Sequence, residues 1–246
     1  RSPVDRNGTA IKSHISGPDN PLLDNPEELR LPFEVTVASN NGQDAELMID
    51  GQKYALRIGE YTPWITIRFR AGVGMKIQGM CRFLLRETDP HFKLYMSPIN
   101  IDPEKPALPI SHPMTYSMYL AKTQGKFCTL GLAEDTWALN ERVIDEQAFL
   151  DQTYLIHDER ERMFFDAVEK TTRGAVVCVF DITDRLQHMF FRYLDPDHPA
   201  NPGKDSVVHK DEIKKLYQRM DDLVGRVMDK TGDDTVLFVM SDHGFK

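Results

Sequence analysis

The sequence predicts an α/β fold: part of a doubly wound, mostly parallel sheet, preceded by an antiparallel β-rich insertion or subdomain. Three observations carry this. Two continuous apolar runs, "AVVCVFD" at 175–181 and "TVLFVMS" at 235–241, have the composition of strands covered on both faces. Between them, 208–231 reads as a helix long enough for a parallel crossover. Upstream, from 33 to about 97, short alternating runs separated by turn residues read as antiparallel strands.

Taken in order, residues 1–32 are rich in Pro, Asn, Asp and Gly without a sustained period. They read as a polar linker with the composition of a disordered segment. The β-rich region is expected over 33–112. Its runs are "FEVTVAS", "AELMIDG", "KYALRI", "WITIRFR", "KIQGMCRFLLRE" and "FKLYMSP", divided by turns such as "NNGQD" and "GVG". The stretch 99–117, with Pro103, Pro106, Pro109 and Pro113, predicts an extended connection. A helix near 113–124 opens the α/β region, expected over 113–246. Residues 145–170 place Phe149, Tyr154, Ile156, Met163, Phe164 and Val168 at helical spacing behind an acidic first turn, which predicts a long amphipathic helix.

The 246 residues are 41% hydrophobic, enough for a real core. Thirty basic against 38 acidic residues give a net charge of -8, which disfavours nucleic acid and anionic membrane surfaces as partners. No apolar stretch approaches the roughly 20 residues that span a bilayer. Cys81, Cys128 and Cys178 are an odd number at wide spacing and read as free thiols, which favours a reducing, cytoplasmic compartment without fixing one. The chain begins with Arg1 and stops close to an active-looking turn, so it reads as an internal piece of something longer.

The chemistry is expected where the two apolar runs end. Asp181, Asp184 and His188 follow the first run, and Asp242 and His243 follow the second. Ligands of open α/β sheets bind beyond the carboxyl ends of the strands, so neighbouring strands would bring these side chains together. Carboxylates with imidazoles suit zinc, or manganese when more oxygen donors join. A single Asp or His at such a position is more often a cap or a solvated group; two pairs at equivalent strand ends are harder to assign to chance. Asp181 reads as a cap, and His14, His91, His112, His157, His198 and His209 as loop or helix-surface residues. Arg185 and Arg192 read as surface ion-pair partners. Trp64, Phe69 and Tyr95 read first as the β region's own core, with a substrate-cleft role as the rarer alternative.

These residues resemble a family. The pattern Asp-x-x-x-His after a strand, followed by a strand ending Ser-Asp-His-Gly, is similar to the alkaline phosphatase superfamily, especially its type I phosphodiesterase/nucleotide pyrophosphatase branch. The wording of "FDITDRLQHMFFRYLDPDHP", "LYMSPINIDPEKPALPISHP" and "TLGLAEDTWALNE" resembles a group of phosphohydrolases or phosphomutases within it. The likeness covers 60–246, and 1–32 match nothing. It implies an alkaline phosphatase-like sheet carrying two divalent metal ions, commonly zinc, with Asp184 and His188 on one and Asp242 and His243 on the other. Gly244 is expected to leave room beside the metal. The family also carries a metal-binding Asp and a Thr or Ser nucleophile before this region, and a further His after it. Thr9, Ser13 and Ser16 do not match the nucleophile's setting, so the catalytic residue stays unassigned. The implied reaction is attack by that hydroxyl on a phosphoryl centre, giving a phospho-enzyme that water hydrolyses. For the 246 residues themselves the expectation is weak metal binding with little turnover.

The first reading is therefore a metal-dependent hydrolase of a small-molecule phosphate ester. A metal-dependent phosphomutase shares the ligand pattern, and a non-catalytic module binding a ligand or protein is the rival from another class. Free sheet edges, where strands lack neighbours, would favour self-association.

Overall fold

The computed structural model describes residues 5–7, 9–24, 27–38, 44–72, 74–201 and 207–245. Most of the expected "NNGQD" turn and Val73 of "GVG" lie outside them. The chain forms two compact units, one running to Ala148 and the other from Phe149.

The first unit is antiparallel β. Strands β1 (Asp5–Asn7), β2 (Ala10–Asp19), β3 (Glu28–Val37), β4 (Asp44–Ile49) and β5 (Gln52–Arg57) form a five-stranded sheet in chain order. Strands β6 (Ile65–Arg70), β7 (Lys76–Cys81) and β10 (Asn100–Ile101) form a second sheet, and β8 (Phe83–Glu87) with β9 (Lys93–Met96) a third. The sequence dictates this through period-two burial. Leu29, Leu31 and Val35 of β3 point inward, as do Ala45, Leu47 and Ile49 of β4 and Ile65, Ile67 and Phe69 of β6, and all share one core with Phe83 and Leu85. Asp50 and Gly51 close the β4–β5 hairpin between Ile49 and Gln52 with φ of 48° and 75°, the left-handed pair that an Asp-Gly turn supplies.

The linker expected at 1–32 is corrected here. Residues 10–19 and 28–37 are strands paired from Ala10↔Thr36 to Asp19↔Glu28, and Ile11, Ile15, Leu29 and Leu31 lie in the core. The polar look of β2 comes from its outward side chains and from an irregularity between Ser16 and Asp19, where Gly17 passes under Phe69. Pro32 is tolerated in β3 because pairing with β4 begins only at Phe33.

A polar cluster ties the second sheet to the segment after it. The Asp102 carboxylate is fully buried and accepts from Lys126 Nζ at 2.6 Å, Gln78 Nε2 at 2.9 Å and Thr66 Oγ1 at 3.2 Å. Burial pushes its pKa up, but Lys126, the Glu104 N–H and Gln78 outweigh that and hold it below the usual carboxylate range. Helices α1 (Thr115–Gln124) and α2 (Thr136–Asn140) follow, α2 capped by Asp135, whose other carboxylate oxygen accepts from Tyr95 at 2.8 Å.

The second unit is helical. It contains most of α3 (Glu146–Lys170), then α4 (Ile182–Phe190), a 3-10 turn at Phe191–Tyr193, and α5 (Glu212–Lys230). The buried Ile213, Leu216, Leu223 and Val227 of α5 recur at helical spacing, and Leu223 and Val227 meet Phe165 of α3. Arg219 reaches Asp158 and Glu161, Arg226 also reaches Glu161, and Lys230 reaches Glu169, so ion pairs run along both helices.

The doubly wound parallel sheet expected from 175–181 and 235–241 is not formed among the described residues: both runs lie outside any strand. Every strand pair among the described residues is antiparallel, apart from one isolated parallel bridge between Ile58 and Leu85. In the first run Val176, Cys178 and Phe180 are half-buried while Val177 and Val179 face solvent; in the second, Val236 through Met240 are all exposed. An apolar run becomes a buried parallel strand only with neighbours on its edges and helices on both faces. Phe180 has helical cover, packing on Phe164 and against the His157 ring, and that is one face alone.

Candidate functional site

Asp181 ends the first apolar run and occupies the N-cap of α4. Its carboxylate does not cap the helix, as expected of it; it pairs with Arg160 of α3. The residues after the first run, Ile182–Phe190, are a helix. Ile182, Leu186 and Phe190, four apart, anchor one side. Asp184 and His188, also four apart, occupy another, with the carboxylate in the first turn and the imidazole in the last, where the helix dipole favours each. His188 Nε2 lies 3.3 Å from Asp184 Oδ1.

The second run ends in a turn held by its own polar groups. The Ser241 hydroxyl donates to the His243 carbonyl, and the His243 N–H donates to Asp242 Oδ1 at 3.1 Å. His243 Nε2 stands 3.6 Å from Asp184 Oδ1 and 3.9 Å from Asp242 Oδ2. His188 and His243 therefore each approach one carboxylate oxygen of Asp184. Asp242 stands apart, its side chain 90% exposed.

Two donors bound at roughly 2.1 Å to a tetrahedral zinc stand roughly 3.4 Å apart. The Asp184–His188 and Asp184–His243 separations of 3.3 and 3.6 Å match two edges of such a tetrahedron. The donor chemistry fits as well. The set is not closed: among the described residues, no three His, Cys, Asp or Glu side chains gather to hold an ion. A Cβ at Gly244 would meet nothing within 4 Å, so the space beside it is open.

Two neighbours complete the surroundings of Asp184: Arg185, read from the sequence as an ion-pair partner, and Phe245, which was not singled out. Arg185 Nη1 lies 3.1 Å from Asp184 Oδ2, so the carboxylate has imidazoles at one oxygen and a guanidinium at the other. Phe245 sets its ring 4.8 Å from that of His188 and 5.5 Å from that of His243. Arg192 donates to Asn201 Oδ1 at 3.1 Å and lies over the Tyr193 ring. The Thr183 and Ser241 hydroxyls near the site both donate to backbone carbonyls. His157, expected on a helix surface, is buried instead, with 1% of its area exposed. No described helix is long and apolar enough to cross a membrane.

Comparison with known families matches residues 54–246 to the type I phosphodiesterase / nucleotide pyrophosphatase family, whose members are generally metal-dependent. Searches of the curated proteins and of the solved structures found no match. The match covers more than three quarters of the chain and takes in every residue of the Asp184 site: the protein belongs to the type I phosphodiesterase / nucleotide pyrophosphatase family of the alkaline phosphatase superfamily.

Proposed function

We propose that this chain carries part of the metal centre of a hydrolase that cleaves small-molecule phosphoric esters, with Asp184, His188, Asp242 and His243 as its ligands. The observation that carries the reading is the approach of His188 and His243 to one oxygen of Asp184, at 3.3 and 3.6 Å. Asp184 and His188 would hold one ion and Asp242 and His243 a second; Asp184, lying between both histidines, supports a site in which the two lie close together. Zinc suits this nitrogen and oxygen set best, and manganese is the alternative.

A bound divalent cation supplies Lewis-acid polarisation of a phosphoryl oxygen. The chain's own residues do the remaining work described here. Helix α4 fixes the Asp184–His188 spacing, and Arg185 places a positive charge beside Asp184 that favours approach of an anionic substrate. The net charge of -8 supports a small phosphate ester over a nucleic acid polymer. The 246 residues alone should turn over little, because no nucleophile is assigned among them. The exposed apolar runs further support self-association, which sedimentation at several concentrations tests.

Elemental analysis before and after dialysis against a chelator tests the metal reading. Stoichiometric zinc or manganese that leaves with the chelator, and is lost in Asp184→Ala and His243→Ala, is the expected result. Unchanged metal content in both variants would sink the site.

A further inference from the structure

The exposed 235–240 run sits in no strand, so the position of His243 depends on what holds the turn after it against α4. Two kinds of contact do so. One is the Asp184–His243 approach itself. The other is aromatic and centres on Phe245. Its ring meets His188 edge-on at 4.8 Å with the planes at 74°, meets His243 at 5.5 Å with the planes at 57°, and stacks on Phe191 at 6.2 Å with the planes at 28°. His188 and Phe191 belong to α4 and the 3-10 turn after it; His243 belongs to the C-terminal turn. One ring thus touches both imidazoles and the scaffold that follows one of them.

We infer that Phe245 is a positioning residue for the Asp184 site, clasping the His243 turn onto α4 and orienting the imidazoles of His188 and His243 toward Asp184. The inference rests on the metal reading above and adds to it what aligns the ligands. An aromatic ring serves here where an aliphatic chain does not. Edge-on contact pairs the ring's positive rim with the negative face of its neighbour and so favours particular angles, whereas a Leu would fill volume without choosing an orientation. Groups that orient metal ligands typically contribute a factor of 10 to 100 in metal affinity when removed.

The test compares the full chain with Phe245→Leu and Phe245→Tyr, measuring zinc affinity by competition with a chromophoric chelator. NOEs from the Phe245, His188 and His243 rings are recorded in the metal-free proteins alongside it. The expected result is zinc affinity reduced about tenfold in Phe245→Leu and kept within about twofold in Phe245→Tyr. NOEs between the His243 ring and α4 protons should be present in the parent and the Tyr variant and lost in the Leu variant. Equal zinc affinity in all three proteins would overturn the role of Phe245 and leave the metal site standing. No zinc binding by the parent would instead count against the metal reading, and the NOEs then decide Phe245 alone. His243–α4 NOEs that are absent from the parent, or that persist in the Leu variant, would overturn it. Their loss only in the Leu variant would uphold the clasp.

Discussion

Lowering the pH from 7 to 5 should cost the helical unit about 2 kcal/mol through one residue, His157. Its ring lies in α3 with 1% of the residue's area exposed, 5.5 Å from the Phe180 ring. Neither ring nitrogen makes a hydrogen bond among the described residues, and Nε2 lies 3.5 Å from Glu161 Oε2. Burial first, and then the Arg219 guanidinium, lower its pKa from 6.5 to about 4, with Glu161 pulling the other way. The unfolded chain therefore binds the proton more readily than the folded one between these values. The stability is fully present above pH 6.5 and is lost progressively as pH falls toward 4. At about 1.4 kcal/mol per pH unit, the whole window is worth about 3 kcal/mol, and the part above pH 5 about 2 kcal/mol. Stopping at pH 5 keeps clear of Glu161: burial raises its pKa, but hydrogen bonds from Arg226 and Arg219 outweigh that and leave it below the usual carboxylate value. Both tryptophans, Trp64 and Trp137, lie in the other unit, so their fluorescence is the wrong probe. Amide hydrogen exchange of α3 and α5 under a urea gradient reports the right unit. His157→Leu removes the titrating group while keeping an apolar side chain, and its α3 and α5 protection should change by less than about 0.5 kcal/mol over the same pH range. An equal acid loss in wild type and His157→Leu would refute the assignment to this residue.

Three further outcomes follow from packing and burial. Asp102→Asn leaves the Lys126 ammonium facing a neutral amide and should destabilise the β unit by about 3 kcal/mol, read by Trp64 fluorescence in chemical denaturation; a change below about 1 kcal/mol would mean the cluster is more solvated than it looks. Gly17→Ala brings a Cβ to 2.5 Å from the buried Phe69 ring and should lower stability by about 1–3 kcal/mol in the same assay. The Cys81 thiol, its pKa pushed up to about 12 by burial, should stay unlabelled by a disulfide reagent at pH 8 until the protein is unfolded. Rapid native labelling at Cys81 by peptide mass mapping would contradict its burial.

The sequence showed most where one period repeats long enough to average out exceptions. Helices α1, α3 and α5 were legible, and so were β4 and β5 as alternating runs and the inward alternation of β6. Strand β2 was not, because its two core residues, Ile11 and Ile15, are four apart, with Ser13 between them on the same side and Gly17 and Pro18 beyond. The runs at 175–180 and 235–240 failed for a different reason: composition records that a segment needs cover on both faces but carries no information on whether partners supply it. In the site, the Asp184–His188 spacing was informative, since four residues is one helical turn. Adjacency alone did not show how differently Asp242 and His243 stand. Neighbouring side chains in a turn diverge, and Asp242 ends up facing solvent while His243 reaches Asp184. Phe245 was silent because a single ring next to a motif has no pattern to read.

The site is half template and half adjustable. Asp184 and His188 ride on a helix whose buried side is anchored at Ile182, Leu186 and Phe190, so their spacing survives whatever the rest of the chain does. His243 rides on a turn after an unpaired run. Apparent affinity for any ligand that needs both halves then scales with the fraction of time the turn is docked: a turn docked one-tenth of the time weakens binding about tenfold with every donor unchanged. Affinity in such a centre can be tuned over orders of magnitude by residues that never touch the ligand, and any partner that pairs with the 235–240 run would act as a volume control on the chemistry at Asp184.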